Sequence, residues 1–408
     1  MAPTTAFVWV WLPGALDPVV AGRLDDAGAV VTFTYGRSYL QRPDAMPLYL
    51  PELPLGTGTR SPRIGEVAGC IADAAPDAWG RRVIENRHAS RVTSRDADLG
   101  LLTYLTESGS NRIGALDFQP SAQTYAPRRS GDATLTELAE SAERVEQGVP
   151  LSPEFDQALL HGSSVGGARP KALLTTGSRQ VIAKFGSTTD TYPVVKAEYV
   201  AMELARRCGL DVAAVELTRA LHKDVVLIDR FDRTRSGARR AMVSALTVLG
   251  LDELGARYAS YAELADVVRA RFTEPDRTLR ELFSRITFNI LSGNNDDHAR
   301  NHAAFWDGTA LALAPAYDIC PQPRAGGETA QAMAIGKDGY RMSQVAGCVD
   351  RAATYHLTAK EARTIIDHQI DTIRGQWSDV CDQAELAPVD RTRFWGRQFL
   401  NPYATYDY

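Results

Sequence analysis

The sequence predicts an α+β fold with two successive lobes, one built from β-hairpins and one from helices, behind a smaller mixed α/β unit at the N-terminus. Three observations carry this. Between residues 171 and 228 short apolar runs are separated by glycine-containing turns, which is how hairpins read. After about residue 240 the apolar spacing becomes helical, over 244–255, 260–271, 277–292 and from 358 onward. Residues ahead of both mix strand-like and helix-like runs. The expected division is 1–125, 126–232 and 233–408, reasonable for a chain of 408 residues.

In order, Ala6 to Leu12 is rich in aromatic and β-branched residues and reads as a first strand. Ala29 to Tyr35 is the second strand expected, after the turn residues Asp25 to Gly28. Residues 41–64 hold five prolines and read as irregular. Helices are expected from Asp77 to Ile84 and from Asp98 to Thr106, then a strand over Arg112 to Phe118. Gln119 to Asp132 is rich in Pro, Ser and Arg and reads as a linker or surface loop. Leu135 to Gln147 is helical by pattern. Lys171 to Thr176 and Gln180 to Phe185 form a hairpin, and Val194 to Cys208 an amphipathic helix closed by Gly209. Val215 to Leu217 and Asp224 to Ile228 are further strands. Thr358 and Glu361 are spaced as a capping box that opens the last long helix.

Bulk properties narrow the function classes. A net charge of −5 gives no global signature of nucleic-acid binding. The five cysteines are scattered and form no Cys-x-x-Cys pair. That argues against a disulfide framework or a cysteine-based zinc site and fits a reducing cytoplasm. The apolar run at residues 6–12 is too short to span a bilayer and lacks the basic stretch of a signal peptide.

The chemistry-bearing stretch is Asn294-Asn295-Asp296-Asp297-His298-Ala299-Arg300-Asn301, followed by Pro315-Ala316-Tyr317-Asp318. It places an Asp, an Asn after four intervening residues and a second Asp beyond a hairpin. Protein kinases use this order for the catalytic Asp, the Mg²⁺-binding Asn and the Asp that bridges Mg²⁺ to phosphate. Mg²⁺ prefers hard oxygen ligands, often one or two carboxylates plus phosphate and water. Between the two parts, Ala303 to Trp306 and Leu311 to Leu313 flank Asp307-Gly308, a hairpin that returns the chain to the same site. Upstream, Gly162 to Lys171 is glycine-rich and suits backbone approach to phosphate, although it is neither a Walker loop nor Gly-x-Gly-x-x-Gly. Lys184 ends an apolar strand, where kinases hold the α- and β-phosphates. Its expected partner is Glu198 on the following helix, with Glu203 as rival carboxylate and Lys196 as rival cation. Leu227 to Asp232 reads either as a hinge joining the lobes, whose backbone reads adenine and whose Phe231 packs on the base, or as a plain core strand with a charged end. His298 and His302, four apart, also raise a zinc site, but Ala299 stands where a zincin needs Glu. The reading preferred on this basis has His298 bracing the loop and His302 opening the next strand.

In this order the motifs resemble those of the HipA family of serine/threonine kinases, the toxins of bacterial toxin–antitoxin pairs, over most of the chain. The matching segments are Ser164 to Lys171 as phosphate loop, Ile182 to Phe185, Asp229 to Arg233 as hinge, Asn295 to Asn301 and Pro315 to Ile319, with Ala74 to Arg82 and Asp98 to Phe118 upstream. The resemblance implies a two-lobed protein-kinase-like fold with Asp296 as catalytic base and Asn301 and Asp318 as Mg²⁺ ligands. ATP is then held by Ser164, Val165, Gly166, Gly167, Lys184, Asp229, Arg230, Phe231 and His298. It also implies autophosphorylation at Ser164 or its neighbour Ser163, which silences the kinase. The implied partners are a protein substrate of the aminoacyl-tRNA synthetase class and a HipB-like helix-turn-helix antitoxin, with DNA reached only through the antitoxin and no membrane. The sequence departs from the family at Met242 to Thr247, where an acidic residue and Gln are common. Two other classes stay open at this point: a nucleotide-binding regulator without phosphotransfer, and a metallohydrolase.

Overall fold

The aromatic run at the N-terminus forms β1 (Thr5–Val10), which pairs on both sides in a five-stranded antiparallel sheet. The other strands are β2 (Val19–Asp26), β3 (Val31–Tyr35), β4 (Thr59–Arg60) and β5 (Leu116–Gln119), in the order β4-β3-β2-β1-β5. The structure is a computed structural model, and it describes residues 3–89, 99–128, 133–149, 167, 169–177, 179–324 and 326–408. Strand β2 was not expected from the sequence, because Gly22 and Arg23 interrupt its alternation. Gly22 is needed there: a Cβ would lie 2.3 Å from the Thr34 carbonyl oxygen. The strand expected from Ala29 starts at Val31, since Gly28 turns the chain at φ +87°.

The strand expected over Arg112 to Phe118 shortens to β5, because Arg112 is fully buried and its guanidinium organises the preceding loop. It donates to Asp117 at 2.9 Å, to the Ala74 carbonyl at 3.0 Å and to the Ser108 carbonyl at 3.2 Å. The segment read as a linker is packed where it is described. Arg128 donates to Asp117 at 2.8 Å, and the Tyr125 ring lies 5.4 Å from Trp9.

A second sheet contains β6 (Lys171–Thr176), β7 (Arg179–Phe185), β8 (Val215–Ala220) and β9 (Lys223–Asp229), in the order β6-β7-β9-β8. The period-2 pattern of β7 sends Val181, Ala183 and Phe185 into a core shared with Trp79, Val83, Leu138 and Val145. The helices Ala78–Ala89 and Leu135–Glu146 therefore cover one face of this sheet, and Trp79 Nε1 donates to the Lys171 carbonyl at 3.0 Å.

By contact the chain divides into two compact units. One comprises residues 1–189, 218–243 and 305–309, and the other 190–217, 244–304 and 310–408. The second unit is mainly helical, with Val194–Arg207, Tyr261–Arg271, Pro275–Ser292 and Ala359–Gln383 as its long helices. The capping box forms: Thr358 N–H donates to Glu361 at 2.9 Å, and Glu361 N–H to Thr358 Oγ1 at 3.2 Å. The helix expected over 244–255 does not. A short strand, β10 (Met242–Ser244), ends at Ser244, which caps a four-residue helix Ala245–Val248. Gly250 at φ +66° stops it there. No helix among the described residues is long and apolar enough to cross a membrane.

Within the first unit the hinge segment is fastened to the N-terminal region by Asp232, 2% exposed. It accepts from Arg230 at 2.7 Å, Arg233 at 2.8 Å and the Gly114 N–H at 2.7 Å. Arg230 and Arg233 in turn each donate to the Arg112 carbonyl at 2.6 Å. Burial alone would raise the Asp232 pKa, but the two guanidiniums outweigh it and hold the carboxyl below its ordinary range. Removing one partner of a buried ion pair strands the other. Asp232→Ala is therefore expected to cost about 3–5 kcal/mol in urea unfolding. The folded pKa is depressed, so in the wild type this stabilisation is complete above about pH 4 and is lost as pH falls through the folded value. Urea midpoints across that range for both proteins check the sign.

Candidate active site

The helix Pro275–Ser292 begins with proline at its first turn and ends at Gly293, φ +74°. A Cβ at Gly293 would lie 2.7 Å from the Gln398 carbonyl oxygen, so the turn into the loop requires glycine. The loop then runs through Asp296 and Asp297 into a single 3₁₀ turn, Ala299–Asn301. Asp297, 3% exposed, is its anchor. Its carboxylate accepts from the Tyr261 hydroxyl, from Asn289 Nδ2 at 2.7 Å and from His302 Nε2 at 2.9 Å. Burial raises its pKa, but the His302 ring and the hydrogen bonds from His302 and Tyr261 outweigh that and hold it below the ordinary value. Asn294 donates to Asn289 Oδ1 at 3.0 Å and Asn295 to Thr329 Oγ1 at 2.8 Å. Tyr317 donates to the Arg300 carbonyl at 2.6 Å, which ties the segment carrying Asp318 to the loop.

This anchoring leaves Asp296 exposed, outside the Asp297 network. Its pKa is raised, first by partial desolvation and then by the negative charges of Asp318 and Asp297, against a lowering by His298. A carboxylate raised by burial and by its carboxylate neighbours marks a place that gains from a cation. Asn301 is 8% exposed, and its Nδ2 reaches the Asp296 carbonyl at 3.4 Å. Asp318 sits in left-handed backbone at φ +59°, a conformation uncommon outside glycine but one that Asp and Asn tolerate better than other residues. Asp296, Asn301 and Asp318 thus come together. The bracing expected from His298 falls instead to His302, because it is His302 that reaches the buried carboxylate. His298 acts on Asp296 and Asp297 through charge. Among the described residues no group of three or more His, Cys, Asp and Glu is arranged to hold a metal ion.

In the first unit Lys184 stands directly opposite Lys171 in the β6–β7 register. Directly opposed residues share a sheet face, so the two ammonium-bearing chains lie side by side, away from the apolar core. Lys171, at the end of the glycine-rich segment, is 1% exposed. Its Nζ would meet a Cβ on Gly167 at 2.1 Å, and Gly167 has φ +110°. Ser163, Ser164, Val165 and Gly166 lie outside the described residues. In the hinge, Asp229 pairs with Arg179 at 2.6 Å, and the Phe231 ring lies edge-on to Phe305 at 6.0 Å. The Arg230 side chain, expected at the nucleotide, is buried with Asp232, Asn111 and the Arg112 carbonyl. In the second unit Glu198 is 3% exposed, its rival Glu203 binds Arg206 and Arg207, and Lys196 donates to the Glu385 carbonyl at 2.8 Å.

Sequence reading missed the Tyr261–Asn289–Asp297–His302 network. Asp297 lies within the motif and His302 directly follows it; the other two come from separate helices. Tyr261→Phe removes one hydrogen bond to a buried carboxylate, and its expected cost is about 1.5–3 kcal/mol. Urea unfolding should show that loss, and an unchanged midpoint would mean that Asn289 and His302 suffice.

Matches to known proteins agree with this geometry. The HipA-like C-terminal domain matches residues 163–377, and the HipA N-terminal domain matches residues 10–119. The serine/threonine-protein kinase toxin HipA of Shewanella oneidensis is 23% identical over 335 residues, covering 74% of this chain and 73% of that protein. The protein Y4mE of Sinorhizobium fredii is 29% identical over 147 residues, covering 34% of this chain but only 33% of its own length. In three dimensions the chain resembles HipA in the Shewanella oneidensis MR-1 complex of HipA, HipB and operator DNA. The TM-score is 0.67 at 19% identity, over 97% of this chain and 99% of that one. Two domain matches in the right order, a relative aligned over most of both chains and the same fold make this chain a member of the HipA family of protein kinases.

Proposed function

We propose that the chain is a serine/threonine protein kinase dependent on ATP and Mg²⁺, acting as a growth-arresting toxin. The observation that carries this is the convergence of Asp296, Asn301 and Asp318 on a loop pinned by Asp297. The residues fit the implied groups. Two carboxylates close enough for one to raise the other, together with an amide, suit a hard cation that keeps water and phosphate in its shell. Lys184 beside Lys171, with Gly167 leaving no Cβ in the way, suits a polyphosphate. When bound, Mg²⁺ on Asn301 and Asp318 and ATP on the glycine loop supply charge neutralisation and the transferable phosphoryl group.

The chain's own residues do the rest. Asp296 orients the acceptor hydroxyl and takes its proton, and a raised pKa makes it a better base than an ordinary Asp. Lys184 holds the α- and β-phosphates, oriented by Glu198. The backbone of residues 229–231 and the Phe231 ring face the adenine. In this reading residues 126–232 handle the nucleotide, 233–408 the chemistry, and 1–125 brace the hinge. Ser164 or Ser163 takes the silencing phosphate, whose two negative charges oppose nucleotide phosphate in the same loop. The substrate is a translation-related protein of the aminoacyl-tRNA synthetase class. The partner is a HipB-like antitoxin in the cytoplasm, with DNA reached only through it.

Intact-mass spectrometry with Mg²⁺ and ATP tests this. The wild type should gain one phosphate on Ser163 or Ser164, and Asp296→Asn should slow that gain by about 10²–10⁴-fold. Nucleotide binding without any transfer, to itself or to lysate proteins, would select the regulator instead. Lys184→Ala should weaken ATP binding about tenfold or more by calorimetry, the loss of one charge-assisted contact to phosphate. Equal affinity would remove Lys184 from the site.

A further inference from the structure

The N-terminal region meets the end of the glycine-rich segment through one short stretch, Asp77 to Trp79. Asp77 directly precedes the helix Ala78–Ala89 and caps it. Its carbonyl accepts from the Arg81 N–H at 2.7 Å and its Oδ1 from the Gly80 N–H at 3.4 Å. Two residues on, the fully buried Trp79 donates from Nε1 to the Lys171 carbonyl at 3.0 Å. That bond fixes the start of the helix against the first residue of β6.

Capping uses one carboxylate oxygen. The other, Oδ2, is buried beside Gly167. A Cβ on Gly167 would lie 3.8 Å from Asp77 Oδ2 and 2.1 Å from Lys171 Nζ. Carboxylate and ammonium are therefore within about 6 Å of each other, close enough for opposite charges to act strongly. Lys171 is 1% exposed, and an ammonium taken out of water needs a counter-charge. Lys184 stands opposite it in the β6–β7 register, where like charges repel. A cap alone requires no charge, since Asn and Ser cap a helix as well as Asp does. The two lysines give the charge of Asp77 its purpose.

We propose that Asp77 is a positioning residue of the nucleotide site. Its carboxylate holds the Lys171 ammonium against Gly167 and so sets where that glycine stands when phosphate arrives. It also offsets the repulsion between Lys171 and Lys184, which leaves the Lys184 charge to the nucleotide. Asp77 belongs to the region matched by the HipA N-terminal domain, and Lys171 to the region matched by the HipA-like C-terminal domain. The N-terminal region thereby takes part in ATP binding, beyond bracing the hinge. The inference rests on the nucleotide site of the kinase reading and adds a residue to it from outside the kinase lobes.

Calorimetry with Mg²⁺ and ATP on a double-mutant cycle tests this, beside autophosphorylation followed by intact mass. Asp77→Asn keeps the cap and removes the charge. It should weaken ATP binding about tenfold. The rate at saturating ATP should stay within about twofold of wild type, the split that follows from lost ground-state binding. Lys171→Met removes the ammonium and keeps an unbranched chain of similar reach. In that background Asp77→Asn should change the affinity less than about twofold, because the carboxylate acts through Lys171. The same loss in both backgrounds, or an unchanged affinity in Asp77→Asn alone, overturns the proposal. If Asp77→Asn does not fold, the double variant decides, since it strands neither charge. It should fold and bind ATP as Lys171→Met does, and a double variant that binds more weakly or fails to fold overturns the proposal. A wild type that binds ATP and transfers phosphate nowhere removes the kinase reading and leaves the affinity cycle to decide on Asp77. A wild type that binds no ATP overturns both.

Discussion

A carboxylate at 3% exposure survives only when donors surround it, and Asp297 is surrounded by three. Those donors come from different places: Tyr261 from the start of one helix, Asn289 from the end of the next, His302 from the mouth of β11 (Ala303–Trp306). Because they cannot converge without the carboxylate, the charge fixes how three elements meet. The loop between Gly293 and His302 then has little freedom left. Its neighbours Asn294 and Asn295 are bound as well, so Asp296 projects from a rigid turn. A polar core is here the means by which an exposed side chain acquires a definite position.

Much of this was legible. Asp296, Asn301 and Asp318 are spaced so that a short turn and a hairpin must bring them near each other, and local rules suffice to see it. The hairpin of β6 and β7 and the helices beginning near residues 261, 275 and 359 follow from periodicity and capping in the same way. What escaped depends on partners distant in the chain. Strand β2 hides behind Gly22 and Arg23, and its glycine makes sense only against Thr34 of the neighbouring strand. The helix projected over 244–255 had the right apolar spacing, but Ser244 and Gly250 cut it to one turn. Arg230 was placed at the nucleotide only through the resemblance of the hinge motif, and its side chain is spent on Asp232 and on carbonyls from residues 111 and 112. Periodicity does not say whether a charge faces solvent or another buried charge.

The sheet of the first unit shows the same economy in another form. Lys171 and Lys184 are opposed across β6 and β7, an arrangement that like charges disfavour. Lys171 is 1% exposed, and its Nζ packs against Gly167 where a Cβ would not fit. On the other face Ala172, Val181, Ala183, Phe185 and Leu227 enter the core with Trp79 and the helix Leu135–Glu146. In β7, Val181, Ala183 and Phe185 thus serve stability while Lys184 faces the other way.

Asp318 bears on how such a site changes over time. Its left-handed backbone, φ +59°, is one that glycine would adopt at no cost and asparagine at little. Random substitution under pressure for a sturdier protein therefore has a ready improvement at this position, and taking it removes a carboxylate beside Asp296. Glycine at residue 318 would relax the backbone and remove the charge together, so sturdiness and chemistry pull this position in opposite directions.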